Sequence, residues 1–300
     1  MASLKSHFWA CVLLITGRKR AIKDGPSIRA TIPERRKTIH HAPPEGVLDV
    51  CDVREETLDG QPVYYATPKG VDEGANGYVY YLHGGAYVFE IIPQHWALVG
   101  ELAVRTGRTF VVPIYPLAPE HDVNAALPFA EASYRALEAR AGDKPIHMFG
   151  DSAGAAMCLS LCQTLIARGE SVAARSLVLV SPWMDVALEN PVAREIDPRD
   201  PWLAVDGLQE AGRMYANGMD MKDPRVSPLY GAVEGLPPVH IFMGTRDVLM
   251  PDVKAFADKL SAVGAAMSYR QYDGMFHCWI FLKSPEADAA NSEIVDLLRA

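Results

Sequence analysis

Several features that mark particular classes of protein are scarce in this sequence of 300 residues. The five cysteines are an odd number without a C-x-x-C pair, so we expect reduced thiols and a cytoplasmic location rather than a disulfide framework. No segment reaches the roughly 18 apolar residues that cross a membrane as a helix. With 29 basic against 37 acidic residues, the net charge of −8 disfavours nucleic acid as a partner.

The basic residues are concentrated at the N-terminus. Residues 1–41 carry nine Lys or Arg and two acidic residues, a net charge of +7, so the remainder of the chain is at −15. The apolar run 8–16 is short and lacks a small-x-small cleavage site, which argues against a signal peptide. We expect the cations at 18–20 to follow a helix and to be attracted to the acidic body. Contact with an anionic membrane surface is a second hypothesis.

Apolar residues make up 49% of the chain, a content typical of a globular protein, and they fall into strand-like and helix-like runs. Strands are predicted at 47–53, 63–66, 78–82, 109–114, 146–149, 177–181, 239–243 and 269–272. Helices are predicted at 95–106, 125–140, 153–168, 251–264 and 286–299. This alternation predicts an α/β protein with a mostly parallel sheet between helices. The short loop 58–61 predicts an antiparallel hairpin at one edge of the sheet.

Two segments interrupt the alternation. Residues 1–46 precede the first predicted strand and have a weak helical pattern. Residues 184–235 separate two strands by more than a crossover helix requires, and insertions of this length are usually lids or binding elements.

The strongest local motif is G-x-S-x-G at 150–154, between a predicted strand and a predicted helix. A tight turn there would expose the hydroxyl of Ser152, and the flanking glycines would keep neighbouring backbone from colliding. The N–H of Ala153 would be unpaired at the start of the helix. We interpret Ser152 as a nucleophile.

A second glycine-rich turn, His83-Gly84-Gly85-Ala86-Tyr87, directly follows the strand predicted at 78–82. Acyl transfer creates an oxyanion, and N–H groups without neighbouring side chains can approach it closely. We therefore predict that Gly84, Gly85 and Ala153 donate to an oxyanion hole.

A serine nucleophile needs a base, and the base needs an orienting acid. Of the two histidines after Ser152, His240 alternates with apolar neighbours inside a strand, so His277 in the loop after the last strand is the better base. Asp247 follows the strand at 239–243 and is the preferred acid. Asp252, at a helix start, and Asp273 are the alternatives that remain.

The motifs together resemble the hormone-sensitive-lipase-like esterases of the α/β-hydrolase superfamily. The matching stretches are HGGAY (83–87), YPLAPEH (115–121), GDSAG (150–154), SPWMD (181–185), DPRVSPLYG (223–231), GTRDVL (244–249) and FHCWIF (276–281). The resemblance implies an α/β-hydrolase fold with an eight-stranded sheet and a helical cap. It assigns 1–46 and 184–235 to the cap, and 47–183 and 236–300 to the core. Ala86 departs from the pattern, because members usually have a third glycine there.

Asp151 and Glu120 are expected to hold loops together near the nucleophile turn rather than to perform chemistry. The adjacent pair His40 and His41 lacks metal-ligand spacing, so neither a metal nor a cofactor is expected. The family often forms dimers through its last strand and helix, which makes a homodimer a hypothesis here.

The substrate pocket is expected to be apolar, without a cluster of Arg or Lys that would bind a charged substrate. The side chains predicted to contact substrate are Tyr87, Phe89, Trp183, Met184, Leu203, Met214, Tyr215 and Phe276, and further candidates are Phe8, Trp9, Trp202 and Trp279. The sequence thus predicts a serine carboxylesterase for short- to medium-chain hydrophobic esters. Lactonase, amidase or deacetylase activity at the same site, or a non-catalytic receptor, are the alternatives.

Overall fold

The computed structural model describes residues 2–300, and an eight-stranded sheet forms its centre. The strands are β1 (Cys51–Leu58), β2 (Gln61–Pro68), β3 (Tyr78–Leu82), β4 (Thr109–Pro113), β5 (Ile146–Asp151), β6 (Ala174–Val180), β7 (Val239–Gly244) and β8 (Met267–Tyr272). Their spatial order is β1-β2-β4-β3-β5-β6-β7-β8. β2 is antiparallel to both of its neighbours, and all other pairs are parallel. The predicted mostly parallel sheet is confirmed.

The antiparallel hairpin at the sheet edge is also as predicted. β1 and β2 are joined by Asp59 and Gly60, whose φ angles are 48° and 80°. A two-residue turn with positive φ at both positions matches the twist of the flanking strands, and Asp-Gly is a favoured sequence for it.

Helices cover both faces of the sheet. They are α1 (Leu4–Ile15), α2 (Arg18–Ala21), α3 (Gly25–Arg36), α4 (Glu45–Leu48), α5 (Pro93–Thr106), α6 (Val123–Ala141), α7 (Ser152–Ala167), α8 (Pro191–Ile196), α9 (Val205–Ala216), α10 (Met250–Ala262) and α11 (Pro285–Arg299). One apolar cluster lies under α6, α7 and α10, and a second lies under α5 and α11. In the region 2–300, no helix has both the length and the apolar character needed to cross a membrane.

The start of the first strand is where the prediction was wrong. Residues 45–48 form the short helix α4 after Pro44, and β1 begins only at Cys51. Val47 is buried because it packs beside Gly100 on α5, not because it lies in the sheet. Because Val47 is apolar and lies just before the strand, the predicted strand begins four residues too early.

The N-terminal helices and the insertion 184–235 pack against each other. α3 contacts α9, and the backbone of Ile22 approaches Gly207 so closely that a Cβ there would overlap the Ile22 carbonyl. Glycine is therefore required at the point where the two segments meet. Together they lie over the carboxyl ends of β3, β5, β7 and β8, where the candidate site is found.

Candidate active site

Ser152 occupies a strained turn between β5 and α7. Its φ is 52°, a left-handed conformation that serine adopts rarely. A Cβ on Gly150 would lie 2.7 Å from the nitrogen of Ala155, and one on Gly154 would overlap the carbonyl of Leu82. Both glycines are thus needed for the strand and the helix to meet this closely, and Ser152 lines the pocket above the sheet.

His277 and Asp247 are hydrogen-bonded partners. Nδ1 of His277 lies 2.8 Å from Oδ2 of Asp247, and both side chains are buried. A carboxylate beside Nδ1 favours the tautomer with its proton there, which leaves Nε2 free to accept a proton. Burial lowers the pKa of His277, but the charge and hydrogen bond of Asp247, together with the charges of Asp200 and Asp151, raise it above its ordinary value. His277 and Ser152 line the same pocket.

The alternative base and acids lie elsewhere. His240 is bonded through Nδ1 to the hydroxyl of Ser268 on the neighbouring strand, at 2.9 Å. Asp252 is buried in the first turn of α10, where burial and then Asp185 raise its pKa to about 6. Asp273 accepts a hydrogen bond from Gln271 at 3.0 Å on the protein surface. His277 Nδ1 is hydrogen-bonded to Asp247, not to any of these groups.

Asp200 is a buried acid at this site that the sequence analysis missed. One oxygen accepts from the N–H groups of Trp202 and Leu203, at 2.8 and 2.9 Å, and the other accepts from Val248 at 3.1 Å. Burial, and then the charge of Asp247, raise the pKa of Asp200 to about 7. The Asp-Pro-Trp-Leu sequence could have indicated an Asx turn, but its contact with Val248 depends on a fold that brings residues 48 positions apart together.

The glycine-rich turn differs from its predicted arrangement in one respect. The N–H of Gly84 donates to Oδ1 of Asp151 at 3.1 Å, so it is not available to an oxyanion. Gly85 and Ala86 line the pocket, with φ angles of 130° and 53°. Among residues 2–300, no protein group accepts from the N–H of Gly85, Ala86 or Ala153. The N–H groups of Gly85 and Ala86 at this turn, and that of Ala153 at the start of α7, therefore have no acceptor in the described chain.

The carboxylate of Asp151 contacts β3, the turn that follows β3, and α5. Besides Gly84, it accepts from the hydroxyl of Tyr81 at 2.6 Å, and its other oxygen lies 3.3 Å from Nε2 of His95. Burial raises its pKa, but His95 and the Tyr81 hydrogen bond lower it below the usual value overall. Glu120 does not share this role, because it pairs with Arg36 of α3 at the surface.

Two of the eight side chains predicted to contact substrate, Phe89 and Leu203, line the pocket, and so does Trp202. Tyr87 instead stacks between Tyr215 and Trp183 in the core, with ring centroids 3.7 and 5.6 Å away. The predicted residues that are buried outside the pocket are Tyr87, Trp183, Met184, Met214, Tyr215 and Phe276. Their aromatic and apolar character serves packing between cap and core.

The further candidates also differ in position. Phe8 is 59% exposed on α1, and Trp9 lines a groove that shares Trp202 with the pocket. Trp279 is buried against Tyr272.

The N-terminal helices and the insertion 184–235 contribute pocket residues that the sequence analysis did not identify. They are Arg18, Ile22, Ile28, Arg35 and Leu208. The expectation that no arginines lie near the motifs is wrong, because α2 and α3 fold over a site whose motifs begin about fifty residues later in the chain. Among residues 2–300, there is no group of three or more His, Cys, Asp or Glu side chains that could hold a metal ion.

Comparison with known proteins places this fold in a family. A family model described as the α/β-hydrolase fold matches residues 79–281. An esterase of Acinetobacter venetianus is 31% identical over 80% of this chain and 82% of its own. A triacylglycerol lipase of Mycobacterium tuberculosis is 31% identical over 94% of this chain, which spans only 58% of that relative. The crystal structure of EstE5 soaked with p-nitrophenyl butyrate has a TM-score of 0.84 and 27% identity, covering 99% of this chain and 98% of its own.

The chain therefore belongs to the α/β-hydrolase fold family. The predicted resemblance to esterases of the α/β-hydrolase superfamily is confirmed.

Proposed function

We propose that this chain, a carboxylic ester hydrolase, cleaves short- to medium-chain esters through an acyl-enzyme formed on Ser152. The observation that carries the proposal is the hydrogen bond between His277 and Asp247 at the pocket that also contains Ser152. A nucleophile, a base and an orienting acid from three separate loops meet there, as acyl transfer requires.

In the first half of the reaction, Nε2 of His277 takes the hydroxyl proton as Oγ of Ser152 bonds to the ester carbonyl carbon. The carbonyl oxygen becomes an oxyanion that accepts from Gly85, Ala86 and Ala153. Each such donor typically contributes about 100- to 1,000-fold to the rate. The C–O bond to the alcohol then breaks, and the imidazolium of His277 protonates the departing oxygen.

In the second half, His277 takes a proton from water as the water oxygen attacks the acyl carbon. The same three N–H groups stabilise the second oxyanion. Its collapse breaks the bond to Ser152, returns the proton to Oγ and releases the acid. Asp247, bonded to Nδ1, orients His277 and stabilises the imidazolium.

The assignment of residues 1–46 and 184–235 to a cap is part of the proposal. Ile22, Ile28, Leu203 and Leu208 come from these segments and line the pocket with Ser152. An apolar wall of this kind suits acyl chains of modest length. The soaking of EstE5 with p-nitrophenyl butyrate supports the choice of a short-chain ester as the first test substrate.

Ser152→Ala tests the proposal directly. We expect the rate of p-nitrophenyl butyrate hydrolysis to fall by at least about 1,000-fold while the circular dichroism spectrum is unchanged. A phosphonate ester should label the wild-type protein at Ser152 and leave the variant unlabelled.

Ser160→Ala is the matched control. Ser160 lies on the same helix, and its hydroxyl donates to the carbonyl of Pro224 outside the pocket, at 2.9 Å. This variant should keep its activity and its labelling. Full activity in Ser152→Ala would overturn the proposed mechanism.

The remaining expectations stay predictions. Homodimer formation is checked by the mass of the purified protein in solution, and membrane-surface contact by co-sedimentation with anionic vesicles. A cytoplasmic location is checked by cell fractionation.

A further inference from the structure

Two arginines of the cap face the pocket that holds Ser152 and His277. Arg18 is the first residue of α2, and Arg35 lies in the last turn of α3. Both side chains line this pocket and both are half-buried. The two guanidinium groups therefore bring positive charge to an otherwise mainly apolar cap wall.

Neither arginine has an acidic partner within residues 2–300, which distinguishes them from their neighbours. Lys19, beside Arg18, pairs with Asp197, and Arg36, beside Arg35, pairs with Glu120. Burial, and then the nearby charge of Arg18, lower the pKa of Arg35. Charged groups that are partly removed from water are usually paired with an opposite charge. Arg18 and Arg35 have no carboxylate partner, so their positive charge can attract an anionic group in the pocket.

Aromatic rings support the two guanidinium groups. The guanidinium carbon of Arg35 lies 4.7 Å from the ring centre of Phe89, and that of Arg18 lies 5.8 Å from the ring centre of Trp202. Stacking on a ring uses the face of a guanidinium and leaves its N–H edge free for a carboxylate. The rings thus hold the cations in place without neutralising them.

The acidic residues of the pocket do not supply the missing charge. Asp151 is engaged by Tyr81, Gly84 and His95. Glu90 forms no ion pair within the described chain, and its pKa is raised by burial while Arg36 and His41 oppose the shift. Although Glu90 lines the same pocket, no ion pair joins it to Arg18 or Arg35 in the described chain.

We propose that Arg18 and Arg35 form an anion subsite, so that the preferred substrates are esters carrying a carboxylate a few bonds from the scissile carbonyl. This inference rests on the proposed ester hydrolysis and narrows its substrate class. The carboxylate can belong to the acyl part, as in a monoester of a dicarboxylic acid, or to the alcohol part. The subsite chemistry is the same in both cases, and the substrates below separate them.

The first arm compares mono-p-nitrophenyl adipate with p-nitrophenyl hexanoate, which have the same leaving group and the same number of acyl carbons. The second arm compares 4-acetoxybenzoate with 4-methylphenyl acetate. We expect wild-type kcat/KM to favour the anionic member of at least one pair, and the arm that shows this identifies the part of the substrate that carries the charge.

Arg18→Met and Arg35→Met remove the charge and keep an apolar stem against the rings. In the favoured pair, each should lower the ratio of anionic to neutral kcat/KM by about 10- to 100-fold, the range for a charge-assisted hydrogen bond. Arg35→Lys should retain part of the preference because it keeps a cation without the planar fork.

Arg20→Ala is the matched control. Arg20 lies on the same short helix as Arg18, is exposed, and does not line the pocket. Its removal changes the net charge by the same amount and should leave the ratio unchanged. Salt gives a measurement that needs no variant: KM of the anionic ester should rise with ionic strength in the wild-type protein, and that of the neutral ester should not.

Failure of this inference differs from failure of the proposed function. If both members of each pair are hydrolysed with equal efficiency, or if the arginine variants change both equally, the anion subsite is wrong and the esterase mechanism stands. If no ester is hydrolysed, the subsite is tested by binding alone. Calorimetry should show that Ser152→Ala binds the adipate monoester and that the double variant, which also carries Arg35→Met, does not. Affinity that is independent of Arg35 would overturn the subsite.

Discussion

The two sides of the pocket are built differently. The core side supplies Ser152, His277 and the Gly85-Ala86 turn from short loops at the ends of parallel strands. The cap side supplies Arg18, Arg35 and apolar residues from helices that are distant in the chain. Backbone conformation fixes the first side, whereas side-chain contacts hold the second. The proposed reaction therefore depends on local motifs, and the proposed choice of substrate depends on long-range packing.

The anchoring of the two sides shows the same contrast. The core turns hold positive φ at Ser152, Ala86 and Tyr87, conformations that the surrounding glycines and packing impose. The ion pairs Lys19–Asp197 and Arg29–Glu210 join the two segments of the cap to each other, and Arg36–Glu120 joins the cap to the core. Each pair joins a cation of the basic N-terminal segment to an acidic residue of the remaining chain. Exposed pairs of this kind each contribute only about 0–1 kcal/mol, so the cap should tolerate change better than the core.

A change on the core side should have the largest effect. Asp247→Asn removes the charge that orients His277, so kcat should fall by about 1,000- to 10,000-fold with little change in folding. The pH profile gives a second readout. A neutral imidazole is needed as base, and the raised pKa of His277 means that wild-type kcat/KM falls as pH drops through a value above the ordinary 6.5. Without the Asp247 charge, this acid limb should move to lower pH.

Asp252→Asn is the control for Asp247→Asn, because it removes another buried carboxylate that does not contact His277. It should leave both kcat and the acid limb in place. If Asp247→Asn keeps more than about a tenth of wild-type activity, the orienting role assigned to Asp247 fails.

The sequence predicts the core side of the site better than the cap side. Ser152, Asp247 and His277 could be selected because each lies within a few residues of a strand end, and strand ends of a parallel sheet converge. The role of Gly84 was misjudged, because its bond to Asp151 depends on a contact between two loops. Arg18 and Arg35 gave no signal, since a weak helical pattern does not show which face a distant helix turns to a pocket.

The fold shows the same limit. The sheet and its edge hairpin follow from local patterns, and so do the helices between the strands. The short helix α4 was missed because Val47 is buried by α5, a contact that no local periodicity reveals. A stacked aromatic pair in a core has the same composition as an aromatic pocket, so the sequence does not distinguish Tyr87 and Tyr215 from pocket residues.

A change where the two sides meet should have an intermediate effect. Asp200 accepts from Trp202 and Leu203 on the cap and from Val248, the neighbour of Asp247. In Asp200→Asn, the amide can still accept on one side but presents a donor to the N–H of Val248. We expect kcat/KM to fall by about 10-fold and unfolding to become easier by about 1–3 kcal/mol.

Asp200 would act as a positioning residue, and the pH profile tests this. The negative charge of Asp200 contributes to raising the pKa of His277, so its removal should move the acid limb to lower pH, though less than Asp247→Asn does. A loss of stability with an unchanged acid limb would reduce Asp200 to a structural contact. Asp185→Asn is a matched control, since Asp185 is also buried but does not contact His277. Its carboxylate accepts a hydrogen bond from the N–H of Ala187, at 2.9 Å.

The smallest effect should come from the anchor of α1. Glu286 at the start of α11 accepts from the hydroxyls of Ser3 and Ser6, at 2.8 and 2.7 Å. Although burial raises its pKa, these hydrogen bonds lower it to about 2. A carboxylate with a lowered pKa in the folded protein stabilises it above the unfolded value of about 4.3 and loses that contribution as pH falls towards 2. Glu286→Gln should therefore remove part of the acid sensitivity of α1 between those values.

At neutral pH the cost of Glu286→Gln should stay below about 1 kcal/mol, because the carboxylate is only half-buried and solvent screens it. Hydrogen exchange of the α1 amides measures the change locally, and we expect faster exchange there with an unchanged rate of ester hydrolysis. Glu293→Gln on the same helix is the matched control, since its partner is Arg270 of β8. If both variants speed exchange in α1 equally, the anchor is not specific to Glu286, and the N-terminal segment is held by its apolar contacts instead.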